Sequence, residues 1–205
     1  MSLNKEKNFV SAVVYLYNEE NSVKKFLTSL NELLKTNFEK YEIICVNDTS
    51  TDNTASAVEE FCDENSVKSL TMIDTSFFQG VENAMVAGLD ISIGDFVFEF
   101  DSCLMDYEPT AIMEVYKKSL TGYDIVFGVP EGASKFSSRM FYKTFNKFSN
   151  MNYKIKTQRF SIISRRGINR VKSIGVRTVY RKAVYASCGL PATDSVSYTH
   201  LTLPT

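Results

Sequence analysis

Residues 10–20 read VSAVVYLYNEE, and this stretch decides the fold class. Its first seven residues, Val10–Leu16, are apolar and mostly β-branched, which is typical of a strand buried on both faces. Polar residues follow at once, so the strand ends at a turn. Apolar side chains then recur at helical spacing over residues 20–34. The sequence therefore begins with a buried strand and an amphipathic helix.

The same alternation of strand and helix continues along the chain. Five more strands are predicted, at residues 41–46, 67–73, 95–100, 124–129 and 160–163. Further helices are predicted at residues 54–64 (capped by Thr51 or Thr54), 81–89, 112–120, 135–149 and 165–173. Because strands that alternate with short helices form parallel βαβ units, the pattern predicts an α/β fold. We expect a single domain with a Rossmann-like, mainly parallel sheet flanked by helices.

The composition, 44% hydrophobic and 23% charged, is that of a soluble globular protein. The chain start has no apolar core of a signal peptide, and no run approaches the roughly 20 apolar residues that cross a bilayer. Two of the four cysteines, Cys45 and Cys103, lie in apolar strand patterns. We therefore expect free thiols in a reducing, cytoplasmic compartment.

The basic residues are unevenly distributed. Residues 135–182 contain fourteen Lys or Arg and no Asp or Glu, although the net charge of the chain is −1. In the helix predicted at residues 135–149, basic side chains recur every four residues, from Lys135 to Lys147. Two interpretations stay open: a solvated basic ridge, or a helix that lies on an anionic membrane surface. We expect no nucleic-acid partner.

The last ten residues, VSYTHLTLPT, show neither helical nor strand periodicity. We predict that residues 1–194 form one domain, truncated at its C-terminal end, and that residues 195–205 are a non-native tail. His200 is the only histidine and falls in this tail, so we assign it no catalytic role.

Polar residues follow three of the predicted strands at their carboxyl ends. These are residues 17–20 after the first strand, 47–52 after the second and 101–103 after the fourth. Ligands of open α/β sheets bind beyond such ends, so together the three segments predict a site. Each segment alone is also what an ordinary turn or helix cap contains. The chain has no G-x-G-x-x-G after the first strand and no Walker motif, which disfavours dinucleotide-binding and P-loop enzymes.

At these motifs the chain resembles the family 2 glycosyltransferases of the GT-A fold. Within that family it is similar to the polyprenyl-phosphate sugar transferases, the group of dolichol-phosphate mannose synthase, from about Phe9 to Arg170. The matching segments are residues 15–20 for P-x-Y-N-E-E, 46–54 for V-D-D-G-S-T-D-x-T, 80–89 for G-x-x-x-A-x-x-A-G-L, 122–128 for G-Y-D-V-V-x-G, 137–146 for S-S-R-x-F-Y-x-x-F-N and 160–166 for F-R-L-L-S-R-R.

The resemblance implies transfer of a sugar from a nucleotide-diphosphate donor, with inversion at the anomeric carbon. The implied acceptor is a polyprenyl phosphate or another glycan of the cell envelope, which would place the protein at the inner face of the membrane. Tyr17, Asn18, Glu19 and Asp48 would bind the nucleotide. Asp101 would bind it as well, act in catalysis and hold a divalent cation, Mg²⁺ or Mn²⁺.

The chain departs from the family pattern at the metal motif and at the acceptor motif. The motif D-A-D-L-Q aligns with residues 101–105, so Cys103 and Met105 replace two oxygen ligands of a hard cation. The acidic residue expected before F-R-L-L is Arg159, which cannot act as a base. Arginines can instead stabilise a departing diphosphate without a metal, and we predict this catalytic role for Arg159.

These departures leave a second hypothesis beside the glycosyltransferase: a nucleotide-sugar-binding module that has lost catalysis. A third, a nucleotidyltransferase on a similar sheet, expects a Gly-rich loop bearing Arg or Lys after the first strand. Residues 17–20 are not such a loop. Assays of donor turnover separate the first two hypotheses, since a binding module would bind the nucleotide without consuming it.

Overall fold

The structure is a computed structural model that describes residues 5–130, 158–175 and 180–197. The chain divides into two compact units, Met1–Leu104 and Met105–Thr205. The basic helix predicted at residues 135–149 lies outside the described residues.

The first unit alternates strands and helices, as the sequence predicts. Its elements are β1 (Val10–Leu16), α1 (Val23–Asn37), β2 (Tyr41–Asn47), α2 (Thr54–Asn65), β3 (Leu70–Asp74), α3 (Val81–Ile91) and β4 (Phe96–Phe100). The strands lie in the order β3-β2-β1-β4, and each neighbouring pair is parallel. In a parallel sheet all carboxyl ends lie at one edge, so the segments that follow β2, β1 and β4 are neighbours.

The register of β1 shows how closely these strand ends match. Leu16 of β1 pairs with Asn47 of β2, and Val14 pairs with Phe100 of β4. Both neighbouring strands thus end within two residues of the end of β1. The prediction that three adjacent strands present their carboxyl ends together is confirmed.

Helix α3 packs closely on the sheet because Gly88 has no side chain. A Cβ atom at this position would lie 2.4 Å from Cγ1 of Val13 in β1 and 2.9 Å from Cγ2 of Val46 in β2. Both valines are fully buried. The close approach of helix and sheet sets the position of the segment that connects β3 to α3.

Helix α2 begins at Thr54, as predicted, but its cap differs from the sequence prediction. The N-cap position is Asn53, whose side chain makes no capping hydrogen bond. Instead, Oδ1 of Asp52 accepts a hydrogen bond from the backbone N–H of Thr54, 3.0 Å away. The prediction that Thr51 or Thr54 caps this helix is wrong, because the neighbouring carboxylate is the stronger acceptor.

The second unit contains three further strands. Its elements are α4 (Thr110–Ser119), β5 (Ile125–Pro130), β6 (Phe160–Ser164), α5 (Arg165–Ile174), α6 (Arg181–Ser187) and β7 (Ala192–Ser197). Strand β5 pairs with β6 in antiparallel and with β7 in parallel orientation. The pairing of β7 includes residues 195–197, within the predicted tail, and the non-native origin of that tail stays a prediction.

Taken over both units, the architecture is the predicted one: an α/β fold with mainly parallel strands flanked by helices. Within the described residues β6 runs antiparallel to β5, whereas β7 runs parallel to it. Helix α6 and strand β7 were absent from the sequence prediction. Within the described residues no helix is both long enough and apolar enough to cross a membrane.

Candidate functional site

Asn18 joins the segment after β1 to the segment after β2. Its backbone is in the left-handed region, with φ of 54°. Its side-chain Oδ1 accepts a hydrogen bond from the backbone N–H of Thr51 at 2.8 Å, and its own N–H donates to Oγ of Ser50 at 3.0 Å. The predicted nucleotide-binding Asn18 is thus a residue that holds two loops of the site together.

Glu19 and Glu20 continue the same connection. The backbone N–H of Glu19 donates to Oγ1 of Thr54 at 2.7 Å, while its carboxylate accepts a hydrogen bond from the hydroxyl of Ser22. Oε2 of Glu20 accepts from the backbone N–H of Asn53 at 3.0 Å. The start of α1 and the start of α2 are therefore linked through the residues that follow β1.

Asp48 follows β2 directly and is fully buried. Its Oδ2 accepts hydrogen bonds from the hydroxyl of Tyr15 at 3.1 Å and from the N–H of Gly80 at 2.8 Å. Its Oδ1 accepts from Oγ1 of Thr75 at 3.0 Å and from the N–H of Gln79 at 2.7 Å. Burial and the neighbouring carboxylate raise the pKa of Tyr15, so this hydroxyl stays protonated and donates.

An exposed aromatic pair lies at the same edge. Tyr17, directly after β1, is 41% exposed, and Phe78, between β3 and α3, is 56% exposed. Their ring centroids are 4.8 Å apart with an interplanar angle of 57°. Phe77 is 66% exposed. The sequence interpretation did not include Phe78, although two adjacent phenylalanines before a helix-starting glycine were a visible signal.

Asp101 follows β4 and is partly exposed, but the motif around it offers few oxygen ligands. Cys103 is buried; burial, and to a smaller extent the charge of Glu19, raise the pKa of its thiol, so it remains neutral and is a poor metal ligand. Among the described residues no three His, Cys, Asp or Glu side chains form a group that could hold a metal ion. The predicted metal-binding role of Asp101 therefore stays a prediction.

Arg159, in the second unit, is paired with a carboxylate of its own unit. Its Nε lies 2.8 Å from Oδ1 of Asp106, and its Nη2 lies 2.6 Å from Oδ2. This two-point pairing fixes the plane of the guanidinium group. The charge of Arg159 is therefore partly neutralised in this structure, and its predicted catalytic role stays a prediction.

A similar pair joins Arg166 to the buried Asp124. Nε of Arg166 donates to Oδ1 of Asp124 at 2.8 Å, and Oγ of Ser164 donates to the same oxygen at 2.6 Å. Burial alone would raise the pKa of Asp124, but the hydrogen bonds from Arg166 and Ser164 outweigh it and the pKa is lowered. Arg166 thus anchors the start of α5.

The predicted nucleotide-binding residues Tyr17, Asn18, Glu19, Asp48 and Asp101 all lie at the carboxyl edge of the first unit's sheet. Their chemistry differs: Asn18 and Asp48 are engaged in hydrogen bonds between loops, whereas Tyr17 presents an exposed ring. The edge therefore combines loops that are held together by hydrogen bonds with an exposed aromatic surface and the carboxyl group of Asp101.

Residues 11–187 match the model of Glycosyl transferase family 2. The chain belongs to this family. The match extends across both compact units, which agrees with the single domain expected from the sequence. An uncharacterised glycosyltransferase of Synechocystis sp. is 31% identical to this family 2 chain over 186 residues, 88% of this chain and 58% of that protein.

A prophage bactoprenol glucosyl transferase homologue of Escherichia coli K12 is 28% identical over 197 residues, 92% of this chain and 62% of that protein. The family 2 chain thus spans about three fifths of the length of these curated relatives. Each of these relatives is therefore longer than the region that matches.

Solved structures with a similar fold are glycosyltransferases. A mannosyltransferase from Pyrobaculum calidifontis, in complex with GDP-Man and Mn²⁺, superimposes with a TM-score of 0.72 at 18% identity, covering 94% of this chain and 57% of that chain. Glucosyl-3-phosphoglycerate synthase from Mycobacterium tuberculosis, in complex with Mn²⁺, UDP and phosphoglyceric acid, has a TM-score of 0.62 at 15% identity and coverage of 96% and 72%. The fold is therefore that of the GT-A glycosyltransferases, as the sequence resemblance implied.

Proposed function

We propose that this family 2 chain transfers a sugar from a nucleotide-diphosphate donor, which it binds at the carboxyl edge of β2, β1 and β4. The observation that carries the proposal is the meeting of three parallel strand ends at one edge, with Tyr17 and Asp101 on adjacent segments. Such edges are where open α/β sheets bind ligands. Structural neighbours in complex with GDP-Man or UDP support a nucleotide ligand of this kind.

The proposed acceptor is a polyprenyl phosphate, by analogy with the relatives named bactoprenol glucosyl transferases. A phosphate oxygen of the acceptor would attack the anomeric carbon from the face opposite the leaving group, inverting that carbon. The bond from this carbon to the donor's diphosphate breaks, and the nucleoside diphosphate leaves with the electron pair. The reaction would take place at the inner face of the membrane.

A phosphate acceptor agrees with the presence of Arg159 where the family pattern has an acidic residue. A phosphate monoester has a second pKa of about 6, so it is already anionic near neutral pH. Its attack therefore requires no carboxylate base, whereas attack by a sugar hydroxyl does. We propose that Arg159 contributes positive charge during the reaction, for the acceptor phosphate or the departing diphosphate.

Asp101 is the residue we propose for a Mg²⁺ or Mn²⁺ ion. When bound, such an ion would supply positive charge to the diphosphate as it leaves. With one carboxylate at this position and sulfur at Cys103, most oxygen ligands would come from the substrate and water. We therefore expect cation binding to depend on the nucleotide.

The meeting of the three strand ends also supports a second candidate function, a nucleotide-sugar-binding module without catalysis. The residues described in the structure supply no preformed group of metal ligands, and Arg159 is already paired with Asp106. Both features weaken the stabilisation of a leaving diphosphate. Such a module would bind the donor at the same edge but would leave it unchanged.

Turnover assays on the full chain distinguish these functions. The donors are UDP-, GDP-, dTDP- and CDP-sugars, each with and without undecaprenyl phosphate and with Mn²⁺, Mg²⁺ or EDTA. The proposal predicts turnover of at least one donor that depends on the lipid phosphate. Asp101→Asn should lower this rate about 100-fold, the order expected when one group that stabilises transition-state charge is lost.

The matched control is Asp63→Asn, which makes the same change at an exposed position of α2. It should leave turnover within about twofold of wild type, as expected for an exposed site outside the strand-end edge. Arg159→Ala should also lower turnover, and unchanged turnover would remove Arg159 from the mechanism. Donor binding without turnover under any condition would support the binding module, and absence of both would contradict both functions.

A further inference from the structure

The side chain of Arg159 is held by Asp106 along one of its two hydrogen-bonding edges. Its Nε donates to Oδ1 of Asp106 at 2.8 Å, and its Nη2 donates to Oδ2 at 2.6 Å. A guanidinium group has five N–H donors, and a carboxylate on the edge between Nε and Nη2 occupies two of them. The other three, on Nη1 and Nη2, make no hydrogen bond within the described residues. The outer edge of the guanidinium, between Nη1 and Nη2, is therefore available for a second anion.

The residues beside this pair fix its place within the second unit. The backbone N–H of Arg159 donates to the carbonyl oxygen of Gly128 in β5 at 3.0 Å. The next residue, Phe160, has its ring centroid 4.7 Å from that of Tyr107, which follows Asp106. A Cβ atom at position 128 would lie 2.7 Å from the ring of Phe160, so Gly128 leaves room for this ring. Two consecutive contacts therefore join the loop before α4 to the start of β6.

The outer edge of Arg159 matches a phosphate group. Two oxygens of a phosphate accept parallel hydrogen bonds from the two nitrogens of such an edge. The edge is also accessible, since 25% of the Arg159 side chain is exposed beside an Asp106 side chain that is 36% exposed. An arginine that is already ordered loses less conformational freedom when it binds a ligand. The pairing with Asp106 thus prepares Arg159 for an anion with two oxygens in one plane.

We propose that Asp106 is a positioning residue, which orients Arg159 so that its outer edge binds a phosphate group through two hydrogen bonds. This inference rests on the proposed sugar-transfer function, in which Arg159 supplies charge to a phosphate. The phosphate belongs either to the acceptor monoester or to the diphosphate of the donor, and both present the same anionic oxygens. Asp106 acts through Arg159 and does not contact the substrate itself.

Asp106 also has an opposing effect, because its carboxylate repels a phosphate. Repulsion between exposed charges in contact changes an affinity by about fivefold at most, and the phosphate would lie on the other edge of the guanidinium. The conformational entropy of a released arginine side chain corresponds to about thirtyfold at most. Ordering therefore outweighs repulsion, and removal of the Asp106 carboxylate should weaken phosphate binding by about threefold or more.

Nuclear magnetic resonance of the ¹⁵N-labelled chain tests the ordering without any ligand. The Nε–H signal of Arg159 is identified as the one that disappears in Arg159→Lys. Exchange of this hydrogen with solvent should be about threefold or more faster in Asp106→Ala, because its acceptor is gone. Asp63→Ala, the same change at an exposed position of α2, is the matched control and should leave the rate unchanged.

A second variant keeps this measurement decisive. If Asp106→Ala does not fold, Asp106→Asn retains one acceptor oxygen and should accelerate the exchange to a smaller extent. An exchange rate equal to that of wild type in the folded Asp106→Ala chain, or in Asp106→Asn where that chain does not fold, would overturn the positioning role.

Calorimetric titration with two soluble probes tests phosphate binding. The probes are geranyl phosphate, a short prenyl phosphate monoester, and UDP. Arg159→Lys keeps the charge but has no two-point edge, so the probe that uses this edge should bind about tenfold more weakly. A loss for geranyl phosphate alone assigns the edge to the acceptor, and a loss for UDP alone assigns it to the donor. Asp106→Ala should weaken the same probe, and Asp106→Glu, which restores a carboxylate, should recover most of the affinity.

The outcomes separate this inference from the proposed function. If the wild-type chain binds neither probe, the proposed function fails and the phosphate edge fails with it. If wild type binds both probes and Arg159→Lys leaves both affinities unchanged, the phosphate edge alone is refuted. Tighter binding in Asp106→Ala would mean that the carboxylate competes with the phosphate for Arg159, and this result would overturn the positioning role.

Discussion

Substitution of Gly88 by Ala tests how α3 is held against the sheet that carries the site. The added Cβ would lie 2.4 Å from Cγ1 of Val13 and 2.9 Å from Cγ2 of Val46, both closer than carbon atoms pack. Because both valines are fully buried, they cannot move aside freely. Overpacking of this kind costs about 3 kcal/mol at the upper end of its usual range.

Part of this cost is offset by the preference of alanine for helices. Alanine is about 1 kcal/mol more favourable than glycine in a helix interior. The net loss expected for Gly88→Ala is therefore about 2 kcal/mol, the difference between the overpacking and the helix preference. For a chain of about 200 residues this lowers the melting temperature by about 4–8 °C.

Thermal unfolding followed by circular dichroism measures the effect, and a double-mutant cycle identifies its cause. Val13→Ala removes the closest contacting methyl group, so the added Cβ of Gly88→Ala would occupy part of the space left behind. The double variant should then be more stable than the sum of the single effects by about 1 kcal/mol or more. Additive effects, or a Gly88→Ala chain as stable as wild type, would refute the packing argument.

Two other predictions concern titratable groups. Burial raises the pKa of Asp194 to about 6, so the folded chain binds an extra proton between about pH 4 and 6 and stability should fall as pH rises through this window. Asp194→Asn should remove this fall in the free energy of unfolding, which we expect to be about 1 kcal/mol because the group is partly exposed. Urea unfolding of wild type and variant at about pH 4 and about pH 6 measures the fall. A variant that loses as much stability as wild type between these two pH values would contradict the raised pKa of Asp194. The buried thiol of Cys103 should react with iodoacetamide at pH 8 more slowly than the partly exposed Cys62, and equal rates in the native chain would contradict its burial.

Strong, local patterns allowed much of the fold to be predicted from the sequence. The boundaries of Val10–Leu16 were correct because an apolar β-branched run is followed directly by polar residues. Helix α3 was located from its apolar spacing and begins at the predicted residue, although it extends to Ile91. Helix α6 and strand β7 were missed, since Arg181–Ser187 is short and Ala192–Ser197 lacks alternation of apolar and polar residues.

For the candidate site, the sequence predicted which residues lie at the edge but not what each side chain contacts. Asp48 illustrates the difference, because its four hydrogen bonds include partners about 30 positions away along the chain. Periodicity and motif spacing contain no information on such contacts. Phe78 was missed for the same reason: its contact with Tyr17 depends on the conformation of the segment between β3 and α3.

The departures at the metal motif were visible in the sequence, and the structure adds their physical consequence. Burial keeps Cys103 neutral, so this position provides no anionic ligand in place of a carboxylate. Arg159 was predicted to provide charge, but its pairing with Asp106 could not be anticipated from residues 53 positions apart. Contacts of this kind decide how much charge is available for a ligand.

The central claim is that the carboxyl edge of β2, β1 and β4 binds a nucleotide. Isothermal titration calorimetry of the full chain with UDP, GDP, dTDP and CDP tests it most directly, with Tyr17→Ala as the site variant and Asp63→Asn as the control. We predict saturable binding of at least one nucleotide, weakened about tenfold by Tyr17→Ala and unchanged by Asp63→Asn. Binding of none of the four, or binding that Tyr17→Ala leaves intact, would contradict the claim.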